Sequence, residues 1–306
     1  MKYKIRHKAI WLVLAAALLS GCSGDDSPNQ ANNNNEKDSE IRLNAEVWRV
    51  MEGTRATTFD NQAAIQAERS FTCTAYDEGT TTVNTTSNVS GITATWNGST
   101  AWEFADKHYW PETGGLDFFA YMPASYDDYI TGLTYTTARR PQFTCDMTQT
   151  VNKEFIWALT TGQDREHQGA SGVTMTFKHP FARIYFQLSN ESESSVTINS
   201  ITISGDFYTT GTCTFDGTTS TWSNQGGAGS LGTFAIGTPY IVIPNDYGSS
   251  KTITVNATWD EWGTFTTSVT SSALSINWEA GYSYTYTLTL SKYALNVDVN
   301  KYTEQW

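Results

Sequence analysis

The cysteine at position 22 carries the most specific chemical signal in this sequence. It ends the tetrapeptide Leu19-Ser20-Gly21-Cys22, which resembles the lipobox of bacterial lipoproteins. In that motif the thiol receives a diacylglycerol, and the cysteine becomes the first residue of the mature chain. Several acyl chains on one residue would anchor a protein firmly, because each buried methylene contributes about 0.8 kcal/mol. We therefore predict lipidation of Cys22, the alternative being a secreted protein with a free cysteine.

The residues around Cys22 predict export to the cell surface. Residues 1–21 combine a basic start with an apolar run from Ala9 to Leu19, which is typical of a signal peptide and too short to span a membrane. Residues 22–40 have almost no apolar side chain after the cysteine, so they predict a flexible tether. The acidic segment 23–26 also resembles the surface-export tag of Bacteroidetes lipoproteins, so we expect an outer membrane lipoprotein precursor. The alternative is that this segment is only a solvated linker.

Few residues could support catalysis. Three histidines follow the signal peptide, and His108, His167 and His179 lack the spacing of metal ligands. The acidic pairs Asp127-Asp128 and Asp260-Glu261 could serve a glycosidase, but neighbours on a strand point to opposite faces. No Gly-x-Ser-x-Gly motif is present. We predict that the protein is not an enzyme and has no catalytic residue, metal or cofactor, and we interpret His179 as structural.

Two other patterns have structural interpretations. Residues 227–232 match the glycine pattern of dinucleotide sites, but that pattern needs a βαβ unit, and here it lies between strand-like segments. We interpret it as a loop. Cys73, Cys145 and Cys213 are odd in number and lack paired spacing, so we predict small core residues, with one pairing left open.

Composition predicts a strand-rich extracellular protein. The 306 residues are enough for two domains. Charged residues make up 16% against a typical ~25%. The net charge of −12 argues against a nucleic-acid binder. The 11 Trp, 16 Tyr and 14 Phe favour strands, since aromatic side chains pack well on a pleated surface.

Short alternating runs separated by turn residues recur about every ten residues from Ile41 onward, as in β-sandwiches. The clearest is Tyr282–Leu290, in which apolar and aromatic residues alternate with Ser or Thr, so one face should be buried. Sustained helical periodicity is absent; the best helix candidate, Asn61–Arg69, is short. The polar, glycine-rich segment Thr161–Gly172 predicts a boundary between domains 41–169 and 170–306. The alternative is a long loop inside one large sandwich.

Several blocks resemble a known family when taken in order. They are Tyr109–Pro111, Leu116–Pro123, Thr176–Ile184 and Trp278–Tyr284, and their order and spacing are similar to those of the fimbrillin-like (Mfa-like) lipoproteins of Bacteroidales. The resemblance implies an all-β chain with two tandem transthyretin-like antiparallel β-sandwich domains. It also implies a subunit of a surface fimbria that is made as a lipoprotein, trimmed by a protease and polymerised by strand exchange.

Strand exchange requires a removable strand and a cleavage site after it. The segment 41–47 predicts a half-buried strand whose inner face consists of Ile41, Leu43, Ala45 and Val47. The following Thr54-Arg55-Ala56 resembles the Arg-specific processing site of the family, so cleavage after Arg55 would remove residues 41–55 and the lipid. The alternative is that Arg55 is a solvated loop charge. Arg42, Arg49 and Arg69 are competing cleavage sites.

Strand exchange also requires a donor. In the C-terminal segment 293–306, Leu295, Val297 and Val299 alternate with polar residues, which predicts a second amphipathic strand. An incoming strand supplies backbone hydrogen bonds and apolar side chains to an open sheet. Four such side chains give roughly 6–12 kcal/mol before the ordering cost. The alternative is an edge strand of the same molecule.

The expected partners are other fimbrial subunits, an Arg-specific protease, the outer membrane before processing, and a host protein or glycan receptor. A shaft, tip or anchor position stays open. A monomeric glycan-binding lipoprotein of a polysaccharide-uptake system is the rival hypothesis, because the aromatic residues also suit sugar stacking. The tryptophans considered for stacking are Trp96, Trp102, Trp259, Trp262 and Trp278.

Overall fold

The computed structural model describes residues 39–47, 61–149, 151–189, 195–260, 264–291 and 294–302. All of them belong to one compact unit, 38–306. They form twenty strands and one helix, which confirms the predicted all-β class.

The first ten strands run from residue 43 to residue 189. They are β1 (Leu43–Val47), β2 (Ser70–Asp77), β3 (Ile92–Trp96), β4 (Trp102–Phe104), β5 (Leu116–Met122), β6 (Ile130–Tyr135), β7 (Pro141–Asp146), β8 (Ile156–Gln163), β9 (Val173–Phe177) and β10 (Ala182–Ser189). The other ten are β11 (Ser195–Ile203), β12 (Thr210–Phe215), β13 (Ser220–Gly226), β14 (Pro239–Val242), β15 (Asn245–Lys251), β16 (Ile253–Asp260), β17 (Thr264–Thr270), β18 (Leu274–Trp278), β19 (Ser283–Leu290) and β20 (Leu295–Tyr302).

The single helix of the described residues, α1 (Gln62–Glu68), lies where the sequence predicts its best helix candidate. The Asn61 side chain caps it by accepting a hydrogen bond from the backbone N–H of Ala64 at 2.9 Å. Arg69 ends it in the left-handed conformation, with φ of 68°. Ile65 is its one buried residue, so the helix contacts the apolar core through this side chain.

The strands assemble into five sheets. Their orders are β8-β5-β2-β3-β4-β1-β9, β14-β10-β19-β20, β11-β16-β17, β13-β12-β7-β6 and β15-β18. Pairing is antiparallel except for β1 with β9 and β10 with β19. The ends of the seven-stranded sheet meet, because Trp157 of β8 and Lys178 next to β9 exchange backbone hydrogen bonds of 3.2 and 2.8 Å. In this closed sheet β1 lies between β4 and β9.

Three apolar clusters fill the molecule. The first lies inside the seven-stranded sheet and includes the inner face of β1. The second lies among the strands after Ala182 and contains Tyr284, Tyr286, Leu288 and Leu290, so the predicted burial of one face of that segment is confirmed. The third cluster is aromatic and contains side chains from both halves of the chain.

The predicted domain boundary near residue 169 lies just before β9. That strand pairs with β1, and the sheet β13-β12-β7-β6 also combines strands from before and after the boundary. Strands from the two sides of the predicted boundary therefore share sheets. The division into domains 41–169 and 170–306 and their transthyretin-like form stay predictions.

The cysteines at 73, 145 and 213 are buried and unbridged, which confirms that they are core residues. Burial raises the pKa of the Cys145 thiol to about 12 and that of Cys73 well above its ordinary value. A thiolate is the reactive form of cysteine, so these thiols are inert near neutral pH. Residues 227–232 form the predicted loop after β13.

Candidate functional site

The first strand lies between two others that are distant in sequence. β1 pairs in parallel with β9 over five residues, from Leu43 opposite Val173 to Val47 opposite Phe177. On its other side it pairs antiparallel with β4, where Leu43 lies opposite Trp102. A strand held on both sides completes the sheet, so its loss would open a groove between β4 and β9.

The burial of β1 follows the predicted alternation. Ile41, Leu43, Ala45 and Val47 are buried, whereas Glu46 is exposed. The buried side chains belong to the same apolar cluster as β9, β5 and β2. Full burial of the three large ones stabilises the native state by roughly 5–9 kcal/mol before entropy is subtracted. Removal of β1 would therefore expose a core that another apolar strand must cover.

Polar contacts fix the N-terminal end of β1 against the segment that precedes β9. The Arg42 backbone N–H donates to Gln168 Oε1 at 3.2 Å, and its guanidinium donates to the carbonyls of Gly169 at 3.1 Å and Ala170 at 3.3 Å. Gly172 has φ of 84°, and a Cβ there would lie 2.4 Å from the Arg42 carbonyl carbon. Only glycine allows this close approach. The glycine-rich segment that the sequence predicts as a domain boundary therefore contacts the N-terminal end of β1 and holds it in place.

The middle and C-terminal part of β1 are held by single side chains. Gln62 of α1 donates from Nε2 to the Ala45 carbonyl at 2.8 Å. Thr176 of β9 donates from Oγ1 to Glu46 Oε1, also at 2.8 Å. Sequence reasoning missed Gln62, Gln168, Gly172 and Thr176, because no local pattern marks a residue that contacts a strand far away in the chain.

The predicted processing site and lipidation site lie outside the described residues. Cys22 precedes residue 39, and Arg55 and Ala56 fall between β1 and α1, in the undescribed range 48–60. The chain therefore passes through residue 55 on its way from β1 to all the other strands. Cleavage there would leave β1 attached to its sheet only by noncovalent contacts.

The predicted donor strand is β20, which lies at an edge of the second sheet. It pairs antiparallel with β19 over eight residues, from Leu290 opposite Leu295 to Ser283 opposite Tyr302. Among the described strands β19 is its only neighbour. In this molecule the segment thus has the alternative arrangement, an edge strand of its own sheet, and its role as a donor stays a prediction.

Burial along β20 decreases toward the C-terminus. Leu295 is buried, Val297 is partly buried, and Val299 is 39% exposed, although all three lie on the apolar face. Lys301 contacts the Glu279 carboxylate, and its Nζ lies 4.3 Å from the centre of the Tyr282 ring. These exposed contacts are weak, so the end of β20 is the part that can detach at low cost.

The groups with catalytic potential are dispersed. His179 Nδ1 lies 2.7 Å from Glu154 Oε1 in a buried pair, His108 Nδ1 lies 2.9 Å from the Ser87 carbonyl, and His167 is exposed beside Asp164. Within the described residues, no group of three or more His, Cys, Asp or Glu side chains could hold a metal.

Of the two acidic pairs, the structure describes both members only for Asp127-Asp128. Asp127 accepts hydrogen bonds from the backbone N–H groups of Asn152 at 2.7 Å and Lys153 at 3.0 Å. Slight burial raises its pKa, but the Lys153 and Asn152 donors outweigh this effect and hold the pKa below its ordinary value. Asp260 is exposed at the end of β16, and Glu261 lies outside the described residues.

The tryptophans considered for sugar stacking are largely core residues. Trp102, Trp259 and Trp278 are buried, Trp96 is partly buried against the first cluster, and Trp262 lies outside the described residues. A cavity of about 720 Å³ is lined instead by other side chains, among them Glu154, Tyr208, Phe234 and Tyr240. The burial excludes the three core tryptophans from surface stacking.

Comparison with known proteins gives one family. A profile described as fimbrillin-like matches residues 54–306. No curated protein matches the chain. Within the part of the chain that the structure describes, no helix is both long and apolar enough to cross a membrane.

Three solved structures share the fold. A fimbrial protein from Bacteroides vulgatus aligns with a TM-score of 0.59 at 16% identity, over 88% of this chain and 99% of its own. Candidate cell adhesion proteins from Bacteroides ovatus and Bacteroides uniformis align with TM-scores of 0.52 and 0.50 at 19% and 17% identity. These two alignments cover 87% and 86% of this chain and 97% and 98% of theirs. At these identities the likeness concerns the fold alone.

Proposed function

Since this chain belongs to the fimbrillin-like family, we propose that it is a structural subunit of a cell-surface fimbria, where it polymerises with other subunits and contributes to adhesion. The proposal includes export as an outer membrane lipoprotein acylated at Cys22 and cleavage after Arg55 by an Arg-specific protease. It includes polymerisation by donor-strand exchange through the C-terminal strand. Its receptor would be a host protein or glycan, and it needs neither a catalytic residue nor a cofactor.

The position of β1 is the single observation that supports this proposal most. The strand is buried on one face and paired with β9 along its length and with β4 at Leu43, yet in sequence it precedes Arg55 and every other described strand. A strand in the middle of the sequence could not be released by one cut. Here one hydrolysed peptide bond, between Arg55 and Ala56, separates β1 from all other strands.

Cleavage would turn the seven-stranded sheet that contains β1 into an acceptor for a strand of another subunit. While residues 41–61 are continuous, β1 rebinds at a high effective concentration; after cleavage it competes as a separate fragment. An incoming strand can then take its backbone hydrogen bonds to β9 and β4 and cover the exposed core. Until that cut, β1 shields an apolar edge that would otherwise promote aggregation. The acyl chains on Cys22 would hold the precursor at the membrane meanwhile.

The glycan-binding alternative receives less support from the side chains. Three of the five tryptophans considered for it are buried in the core, where they cannot contact a polysaccharide. The residues that line the cavity of about 720 Å³ include none of these tryptophans. We therefore retain fimbrial assembly as the proposed function.

Treatment of the purified precursor with an Arg-specific protease tests the proposal. We expect a ladder of oligomers that resist SDS at room temperature and dissociate on heating, because each junction buries a full strand. Arg55→Ala should abolish the ladder, since β1 then stays covalently attached. Gel electrophoresis with and without heating measures both results.

The control for this experiment is Arg69→Asn, which removes a competing cleavage site. Asn tolerates the left-handed conformation of residue 69, so the fold should be retained. The ladder should be unchanged in this variant. A ladder that survives Arg55→Ala but disappears with Arg69→Asn would place the cut after α1. A cleaved wild-type product that stays monomeric even when other fimbrial subunits are present would contradict the proposal.

A further inference from the structure

The first and last strands among the described residues begin with similar five-residue sequences. β1 reads Leu43-Asn44-Ala45-Glu46-Val47, and β20 begins Leu295-Asn296-Val297-Asp298-Val299. Leu, Asn and Val recur at the first, second and fifth positions, and the other two differ by conservative changes. From this correspondence we infer that β20 of a second copy of this chain replaces β1 residue for residue, with Leu295 at the position of Leu43. The inference rests on the proposed function and specifies its partner and its register.

The alternation of side chains excludes odd shifts of this register. β1 presents Leu43, Ala45 and Val47 to the core, and Glu46 to solvent. A shift of one residue would bring Asn296 and Asp298 into the core, because neighbouring side chains on a strand point to opposite faces. Only even shifts keep the apolar face of β20 inward.

Even shifts other than zero place unsuitable side chains in the core. With Leu295 at the position of Ile41, Lys301 would take the position of Val47, which is 8% exposed, and an unpaired buried ammonium is costly. With Leu295 at the position of Ala45, which is 0% exposed, a Leu side chain would have to fit where a methyl group fits. The unshifted register avoids both problems.

The unshifted register makes one moderate steric demand. Val297 is two carbons larger than Ala45, and it would lie opposite Met175 of β9. Methionine is unbranched and adapts to irregular space, so this position can accommodate a larger neighbour. The extra carbons would also bury more apolar surface in the junction than β1 does.

The polar face and the chain direction agree as well. Thr176 donates to the Glu46 carboxylate in the described molecule, and Asp298 would present a carboxylate at the same position. Because the two sequences correspond in the same N-to-C direction, β20 would run parallel to β9 and antiparallel to β4, as β1 does.

The subunit is therefore complementary to itself. One chain carries both the groove, once β1 has left, and the strand that fits the groove, so a second copy suffices as the partner. This is the property required of a repeating shaft subunit, which must accept one neighbour and donate to the next.

Paired cysteines test the register. In the junction, residue 298 should lie opposite residue 176, as Glu46 does now. We expect the double variant Thr176→Cys with Asp298→Cys, cleaved by the Arg-specific protease and oxidised, to give oligomers that survive boiling and disappear on reduction. Cleavage removes Cys22, and the other cysteines of the described chain are buried. Pairs of Thr176→Cys with Asn296→Cys or Asn300→Cys, shifted by two residues, should show no such oligomers.

The outcomes separate this inference from the proposed function. If unmodified subunits assemble but a shifted pair forms the boiling-resistant oligomers, the register is overturned while strand exchange stands. If assembly requires a different protein, the second copy as partner is overturned. A disulfide formed within single monomers would also contradict the inference. Absence of oligomers from the cleaved wild-type chain, both alone and mixed with other fimbrial subunits, would contradict the proposed function itself.

Discussion

Replacement of Ala45 by aspartate should lower the free energy of unfolding of the uncleaved precursor by about 3–5 kcal/mol, the cost typical of an uncompensated buried charge. Ala45 is 0% exposed in the centre of β1, and its methyl group belongs to the first apolar cluster. A carboxylate at this position would therefore enter that cluster. Urea unfolding followed by tryptophan fluorescence measures the change.

Asn44→Asp is the matched control for this variant, because it introduces the same side chain one position away on the outer face. We expect a loss of less than about 1 kcal/mol, as for most surface changes. Equal destabilisation by the two variants would contradict the inward position of Ala45. Because Ala45 precedes the cut, oligomers already assembled from cleaved subunits should show unchanged heat resistance.

Replacement of Val299 by lysine should abolish the oligomer ladder without destabilising the monomer. In the monomer Val299 is 39% exposed at the end of an edge strand, so a lysine there remains solvated. In a donor strand the same residue must enter a closed core, and an ammonium buried without a partner costs several kcal/mol. A loss of about 3 kcal/mol corresponds to roughly a hundredfold weaker junction. Gel analysis after cleavage measures assembly, and thermal unfolding measures the monomer.

Asn300→Lys provides the control for Val299→Lys. It adds the same charge at the next residue, which is exposed in the monomer and which the alternation of side chains places on the polar face of a donor strand. We expect a normal ladder and a normal Tm. An intact ladder from Val299→Lys would exclude β20 as the donor. Loss of the ladder in both variants would point to a general effect of the added charge rather than to burial of residue 299.

The sequence predicted the strand character of β1 and β20, because the alternation of apolar and polar residues is a local property that a few consecutive residues already display. It could not predict which strands they pair with. β9 lies 130 residues beyond Glu46, and no periodicity within β1 specifies a parallel partner at that distance. The contacts of Gly172 and Gln168 with Arg42 were missed for the same reason, since their glycine-rich segment has the composition of a linker.

The sequence also could not predict how far each side chain is exposed to solvent. Trp102, Trp259 and Trp278 suited sugar stacking by residue type, but they belong to the core. Conversely, Val299 has the pattern of a buried residue and is partly exposed, because β20 lies at an edge where the covering core ends. Side-chain type predicts which face of a strand is apolar, whereas the neighbouring strands decide how far that face is covered.

N-terminal sequencing of the mature protein from the cell surface tests the account most directly. Because β1 precedes residue 55, a chain that begins at Ala56 has lost β1, and its groove must be filled by another strand. We expect this start. A blocked N-terminus with an acylated Cys22 would mean that β1 stays in its sheet, and it would contradict polymerisation by strand exchange.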